Sequence, residues 1–273
     1  MPPLSGLSDL FFELSSDNRL DILGRLCGSP SKVSKLAEDM RITNQECSRH
    51  MVRLSEAGLT AKNVDGLYAL TPYGQQVLLQ LKGIEFTSRY RAYFREHTMM
   101  GIPESFVGRI GELSNCTLVD DIMVVFKDIE SMIAETQEYM LRVTDRYLLT
   151  TMPTTEKMYQ RGAWQHLIDP EDMPIPPDFE PGPIIREATS KRQFLDWTLP
   201  RVDLFLAMNE KRVTSLSFPL LNGKFDYTGF ASDDPAFHRW CKELFEHYWA
   251  IAKPKTGGWL GMKLEEARKR TRR

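Results

Sequence analysis

Thr43-Asn-Gln-Glu-Cys-Ser-Arg-His-Met-Val-Arg-Leu-Ser-Glu-Ala-Gly-Leu59 carries the strongest local signals in the chain. Thr43 and Glu46 stand at the spacing of a capping box, in which the threonine hydroxyl takes the N–H three residues on. A helix is expected from Asn44 to about Ala57, with Gly58 as the left-handed residue that stops it. Cys47, Met51 and Leu54 recur at the helical period, and Leu59 packs just beyond the end. The opposite face carries Asn44, Gln45, Ser48, Arg49 and Arg53.

Working outward, Asp17 or Ser16 caps a first helix that runs to about Leu26, and Gly28-Ser29-Pro30 breaks the chain. Val33, Leu36, Ala37 and Met40 then mark a second helix, joined to the Asn44 helix by Arg41-Ile42-Thr43. Two helices joined by a turn this short, with the polar face on the second, describe a helix-turn-helix. Downstream, Leu59 to Val64 reads as a strand, Asp65-Gly66 as a type I′ turn and Leu67 to Leu70 as the return strand. Thr71-Pro72 opens a further helix, threonine at the cap and proline in the first turn. This order predicts a winged helix-turn-helix. In that arrangement the helix enters a major groove, with Asn44, Gln45 and Ser48 facing base edges. Arg49 reaches a guanine or a phosphate, Arg53 is a further DNA-binding candidate on the same face, and near the wing tip Lys62 touches phosphate, with Asn63 a candidate beside it. His50 is open between a buried role and a DNA contact, and Glu46 belongs to the cap.

Ser48-Arg-His-Met-x-x-Leu-x-x-Ala-Gly-Leu59, followed by Tyr68-Ala-Leu-Thr-Pro-Tyr-Gly74, resembles the recognition helix and wing of archaeal and bacterial winged-helix repressors of the ArsR and MarR kinds. The resemblance implies double-stranded DNA as a partner. The other use of such a module is protein contact alone.

The formal net charge of −2 does not announce nucleic-acid binding. Its distribution is more useful, since residues 253–273 carry eight Lys+Arg against two Glu. Arg41, Arg49, Arg53 and Lys62 against Glu46 and Glu56 leave a local positive balance where phosphate contact is needed. At 42% hydrophobic and 26% charged the composition is that of a globular protein. No apolar run approaches a membrane span, and Met1 to Gly6 lacks the basic and apolar character of a signal peptide, so a cytoplasmic location and no membrane partner are expected. Cys27, Cys47, Cys116 and Cys241 form no Cys-x-x-Cys pair and read as inert thiols of a reducing compartment.

The chain is expected to divide into a DNA-binding domain (1–83), linking helices (84–116), an α/β effector and dimerisation domain (117–252) and a basic tail (253–273), an α+β or α/β protein as a whole. Pro103 begins a helix through Leu113. Asn115 to Phe126 suggests one or two strands, Ile129 to Val143 a helix, and Tyr147 to Met152 a buried strand. Val202–Met208, Val213–Phe218 and Phe225–Phe230 read as strands, and Pro235 opens a last helix. Residues 169–183 hold six prolines and five acidic residues and read as a loop.

Tyr93-Phe-Arg-Glu-His97, Gly101-Ile-Pro-Glu104, Arg109-Ile-Gly-Glu-Leu113, Asn115-Cys116, Asn222-Gly-x-Phe-Asp226 and Trp240-x-x-Glu-Leu-Phe-Glu-x-Tyr-Trp249 follow one another along the chain. In that order they resemble the middle domain of archaeal winged-helix regulators typified by the methanogenesis regulator of filamentous methanogens. The resemblance spans most of residues 8 to 252 and implies an archaeal regulator. Thr98-Met-Met100 and the long proline-rich segment depart from its pattern.

Enzyme signatures were sought. No Gly-x-Gly-x-x-Gly, Gly-x-x-x-x-Gly-Lys-Ser/Thr or Gly-x-Ser-x-Gly occurs, and no histidine is followed at the second position by lysine. A non-enzymatic protein without cofactor is expected. His238 and Cys241 share a helix face but His247 points elsewhere, so no metal site is expected. Tyr147, Trp164, Trp197, Phe205 and Tyr227 are the candidates for an apolar effector pocket. Arg186, Lys191 and Arg192 are either an anion-holding cluster or a solvated face. The reading is a homodimeric, sequence-specific transcription regulator whose C-terminal domain takes a small-molecule effector. The rivals are a ligand-independent architectural DNA-binding protein, an enzyme fused to a winged helix, and a protein-interaction module.

Overall fold

The computed structural model describes residues 6–173 and 181–255. The chain forms two compact units, Met1–Ile84 and Glu85–Arg273. Residues 174–180 of the proline-rich segment and nearly all of the basic tail lie outside the described residues.

The first unit contains α1 (Leu7–Leu14), α2 (Asp17–Gly28), α3 (Val33–Met40), α4 (Asn44–Glu56), β1 (Thr60–Lys62) and β2 (Tyr68–Leu70). It also holds the first part of α5 (Pro72–Arg89). The helix α1 has no counterpart in the sequence reading. Its Leu-Ser-Asp-Leu-Phe-Phe-Glu-Leu run is short and largely exposed, and only Leu14 is buried. Ile22, Leu23, Leu36, Met51, Leu54 and Leu59 are each at most 1% exposed and form one core. Burying side chains of this size contributes about 1.5–3 kcal/mol each.

The wing is shorter than its sequence suggests. β1 and β2 pair antiparallel over Thr60↔Leu70, Ala61↔Ala69 and Lys62↔Tyr68. The turn is also different. Gly66 has φ +77, but Asp65 is not in the left-handed region that a type I′ turn requires of both central residues. Asn63 N–H donates to Leu67 O at 2.8 Å, which closes a three-residue loop over Val64-Asp65-Gly66. The Asn63 side-chain oxygen accepts from the N–H of Asp65 and Leu67, at 3.1 and 2.8 Å, and so stabilises the longer loop. Backbone bonds between Ser31 and Tyr68, at 2.9 and 2.8 Å, add a third short edge to the hairpin.

The second unit is built on an eight-stranded sheet of order β10-β6-β5-β4-β7-β8-β9-β3. The strands are β3 (Thr117–Val119), β4 (Tyr139–Val143), β5 (Trp164–Pro170), β6 (Phe194–Leu199), β7 (Phe205–Asn209), β8 (Val213–Ser217), β9 (Gly229–Ser232) and β10 (Lys253–Pro254). β4, β5 and β6 are mutually parallel and all other pairings are antiparallel. The parallel strands are joined through α9 (Met152–Gln160) and α10 (Pro183–Ser190), as two consecutive βαβ crossovers. On one face of the sheet α8 (Ile122–Glu135), α9 and α10 pack through Ile129, Met132, Met158 and Ile185. On the other face α11 (Pro235–Ile251) packs through Trp240, Leu244 and Phe245. The end of α5, α6 (Arg91–Glu96) and α7 (Glu104–Val107) belong to that same core through Phe86, Tyr93 and Phe106. Of the segment expected as linking helices, residues 85–116 thus belong to the second unit and contribute to its core. No helix among the described residues is long and apolar enough to cross a membrane.

Several element expectations change. The helix expected over Ile129–Val143 stops at Glu135, and Tyr139–Val143 is the strand β4. Its side chains alternate between the two cores, Tyr139, Leu141 and Val143 on one side and Met140 on the other. A strand buried on both faces is apolar throughout, and periodicity alone cannot tell it from a buried helix. Tyr147–Met152 is not a strand but the approach to α9. Asp169 and Pro170 end β5, and Pro183 begins α10, so the regular structure reaches into the segment read as a loop. β5, α10 and β6 have no counterpart in the sequence reading, and the strand expected over Phe225–Phe230 is confined to Gly229–Ser232.

The motifs quoted for the second region meet in space. His97 Nε2 lies 3.1 Å from Asp226 Oδ1, and the His97 ring stacks on Tyr93 at 3.8 Å. Arg109 pairs with Glu112 at 2.7 Å and with Glu243 at 2.6 Å. Trp240 Nε1 donates to Phe106 O at 3.2 Å, and Tyr248 OH donates to Gly101 O at 2.9 Å. These residues fasten the α6–α7 segment to α11 and the sheet.

Candidate functional site

The helix α4 begins at the Thr43 cap, whose hydroxyl oxygen accepts the Glu46 N–H at 3.1 Å. The other half of the capping box is replaced. The Glu46 carboxylate takes a 3.4 Å hydrogen bond from Asn18 and faces His50 Nε2 at 3.9 Å. His50 is half-buried, and desolvation first, then the charge of Arg19, holds it below the ordinary imidazole value. At the other end Gly58 takes φ +72, and Leu59 turns back into the core.

Cys47, Met51 and Leu54 are fully buried, and the opposite face of α4 is presented outward. Asn44, Gln45, Ser48 and Arg49 are all exposed, and no side-chain hydrogen bond or ion pair to another described residue holds them. Val52, 51% exposed, continues that face as an apolar contact. Arg53 is placed differently. Its Nε and Nη2 donate to Glu13 at 3.0 and 2.6 Å, and its guanidinium lies 5.1 Å from the centroid of Phe12. Arg53 therefore ties α4 to α1. On the wing Lys62 is exposed, 5.8 Å from the Tyr68 ring centroid, and Asn63 has its side-chain oxygen occupied by the turn.

The wing is fixed to the helices by Thr71 and Gly74. Thr71 Oγ1 donates to Gly58 O at 2.6 Å and accepts the Gly74 N–H at 3.0 Å. A Cβ on Gly74 would stand 2.1 Å from Leu59 O, so no larger residue permits this approach of α5 to the end of α4.

In the second unit the aromatic candidates do not share one pocket. Residues alternate across a strand, so Trp164 and Trp197 fall on the α11 side. There Trp164 stacks on Tyr139 and Trp197 on Trp249, at 5.3 and 4.5 Å. Phe205 and Tyr227 are packed against each other in the opposite core, 5.0 Å apart. The Tyr227 hydroxyl donates to Asp145 at 2.9 Å. Tyr147 lines a cavity that lies between β4, β5 and β6 and the helices α9 and α10.

That cavity has about 30 Å³ of free space. Arg142 of β4, Gln165 of β5 and Tyr159 of α9 supply polar groups, and Met152, Leu167, Ile185 and Phe194 supply apolar ones. Tyr159 OH donates to Gln165 Oε1 at 2.7 Å. The Arg142 side chain is buried, and among the described residues nothing accepts from its Nε or Nη2. Burial lowers its pKa to about 10. Beside the cavity, Tyr147 OH donates to Asp196 at 2.9 Å, and Asp196 and Asp169 share Lys255, whose ammonium is paired with Asp169. Burial, then the charge of Asp169, raises Asp196 to about 7.

The cations near the proline-rich segment take no part in this. Arg186 Nε donates to Pro181 O at 2.9 Å, Lys191 pairs with Glu187 at 2.5 Å, and Arg192 is exposed. His238 bonds Asn209 O at 2.8 Å, Cys241 is buried in the core, and no group of three or more metal-ligating side chains occurs among the described residues.

A helix-turn-helix domain family matches residues 14–62, from the end of α1 through β1. The first unit carries a helix-turn-helix domain. No curated protein matches the sequence. Among solved structures the chain is similar to TrmBL2, described as an archaeal chromatin protein with a novel mode of DNA binding, at 13% identity and a TM-score of 0.43, over 88% of this chain and 94% of that one. It is also similar to NucT from Helicobacter pylori, at 10% identity and a TM-score of 0.37, over 51% of this chain and 98% of that one.

Proposed function

We propose that this protein is a transcription regulator that reads DNA through α4 and responds to a small molecule through its second unit. One observation carries the DNA reading. The helix α4 buries one face completely and leaves Asn44, Gln45, Ser48 and Arg49 exposed and unengaged on the other. Amide and guanidinium groups in that position match the donor and acceptor edges of a major groove, where a good bidentate pair is worth about 1–3 kcal/mol of base discrimination. Lys62 on the wing supports the reading as a phosphate contact. Lys32 and Lys35, exposed at the start of α3, add charge at the helix that crosses the backbone in this motif. Arg53, occupied by Glu13, acts by positioning α1 against α4.

So few cations on one helix and one short wing give a single copy little affinity. The reading therefore includes a homodimer whose two α4 helices meet half-sites about 34 Å apart. The effector part rests on the cavity at Arg142, which an architectural protein with a closed core has no use for. The resemblance of the ordered motifs between Tyr93 and Trp249 to methanogenesis-type regulators supports the same assignment.

The test is selection of bound fragments from random and genomic DNA by the purified chain, followed by fluorescence anisotropy on the enriched sequence. A recurrent, pseudo-palindromic sequence bound at least about 1,000-fold more tightly than random DNA is the expected result. Enrichment of no sequence would end the claim of sequence-specific regulation.

A further inference from the structure

Arg142 occupies a position that ordinary folding energetics disfavours. It lies on a central parallel strand, 6% exposed, with its side chain on the cavity side of the sheet. A buried arginine is normally matched by a carboxylate or by several carbonyl oxygens, because an uncompensated buried charge costs several kcal/mol. The buried acidic pair beside the cavity, Asp169 and Asp196, gives Arg142 no hydrogen bond and is engaged through its Oδ2 atoms by Tyr147 and Lys255. The two unpartnered nitrogens of Arg142, Nε and Nη2, form one edge of the guanidinium, and along that edge the two N–H bonds run parallel. That is the edge by which arginine grips a carboxylate with two hydrogen bonds.

The hydroxyl groups around it are already committed as donors. Thr144 donates to Arg146 O at 2.7 Å, Thr155 to Thr151 O at 2.9 Å, and Tyr159 to Gln165 Oε1 at 2.7 Å. The charge that remains to be balanced is therefore the single positive charge of Arg142. A monoanion balances it. A phosphate dianion would leave net negative charge in the interior, beside Asp169 and Asp196. The cavity is also small, which suits a carboxylate with a short apolar stem that Met152, Leu167 and Ile185 would flank.

We propose that the cavity between β4–β6 and α9–α10 is a binding site for a small aliphatic monocarboxylate, held side-on by Arg142. The role of that ligand as an effector rests on the regulator reading of the preceding subsection, while the binding itself does not. Ligand contact with α9 and α10 on one side and three strands on the other gives it the means to favour one packing of these helices, which is what an effector must do.

The test uses the full chain, dialysed free of carboxylates, with sodium formate, acetate and propionate as probes at constant ionic strength. Melting temperature and isothermal calorimetry are measured for the wild type, R142M and R142K. The wild type is expected to bind at least one of the three saturably, with a melting rise of about 5–10 °C at about 100 times the Kd. R142M is expected to show no saturable response, and R142K, which keeps the charge and loses the fork, a Kd raised at least about tenfold. If R142M does not fold, R142K and a titration followed by the isotope-labelled carboxylate's NMR line width decide the matter. Equal responses in wild type and variants, absence of binding with all three probes, or binding of inorganic phosphate in their place would each overturn the proposal. DNA anisotropy with and without the bound carboxylate separates the two readings. Carboxylate binding with no DNA binding sinks the regulator and leaves the site. DNA binding with no carboxylate binding does the reverse.

Discussion

Replacing Arg142 with methionine is expected to make the ligand-free protein more stable, against the usual outcome of a substitution in a packed interior. The magnitude follows from the burial of the guanidinium. Its pKa is lowered from the ordinary arginine value to about 10 because the surroundings solvate the charged form poorly. At about 1.4 kcal/mol for each tenfold change, that descent represents about 3 kcal/mol lost by the charged form. Arginine stays protonated in the folded and unfolded chain at neutral pH, so the whole penalty is present there. Methionine has a similar length and no charge, and its flexible stem fills an irregular space well. The slightly smaller side chain returns a fraction of the gain as unfilled volume. A net stabilisation of about 1–3 kcal/mol remains, which for a domain of this size is a melting rise of about 2–10 °C. Urea melts of both proteins, with unchanged slope, measure it. A loss of 1 kcal/mol or more in R142M would show that the guanidinium is compensated in the free protein, and the argument for a ligand held by its open edge would fall with it.

Other outcomes follow from the same geometry. R49A is expected to lose about 10–100-fold in affinity for a selected DNA sequence and much less for random DNA; equal losses on both would reassign Arg49 to a phosphate. K62A is expected to lower the slope of log affinity against log salt by about one per copy, with the base preference unchanged, and an altered preference would refute a backbone role. G74A is expected to destabilise the first unit by more than about 2 kcal/mol, since the new methyl group meets the Leu59 carbonyl; a near-neutral melt would contradict the close packing there. The raised Asp196 carboxyl binds a proton in the folded chain that the unfolded chain releases above about pH 4. Stability is therefore expected to fall as pH rises from about 4 to about 7 and then to level off. D196N is expected to flatten that dependence, and an unchanged profile in D196N would place the titration elsewhere.

How much of this was legible in the sequence differs between the two units. In the first, contacts are local and the signals are chemical. Thr43 at a cap, Gly58 after a helix, Val33–Met40 at helical spacing and Thr71-Pro72 at a helix start each act within a few residues, and the elements stand close to where these signals place them. The turn shows the limit of such reasoning, because the Asn63 side chain stabilises a loop one residue longer than the Asp65-Gly66 pair suggests. Arg53 shows another limit. Its spacing puts it on the outer face of α4, but its partner Glu13 belongs to α1, a helix with too weak a pattern to be read.

In the second unit the α/β composition, the final helix and the order of the motifs were legible from the residue pattern. Those motifs proved to be fastenings between α6, α7, α11 and the sheet. The cavity lies elsewhere, and only the tertiary structure decided it. Arg142 follows Tyr-Met-Leu in a run that reads equally as the end of a helix, and its role depends on β5, β6, α9 and α10 converging over it from up to about fifty residues away. The available signal was a lone arginine inside an apolar run. Whether such a charge is paired, solvated or left open depends on which distant oxygens reach it, and no local pattern records that.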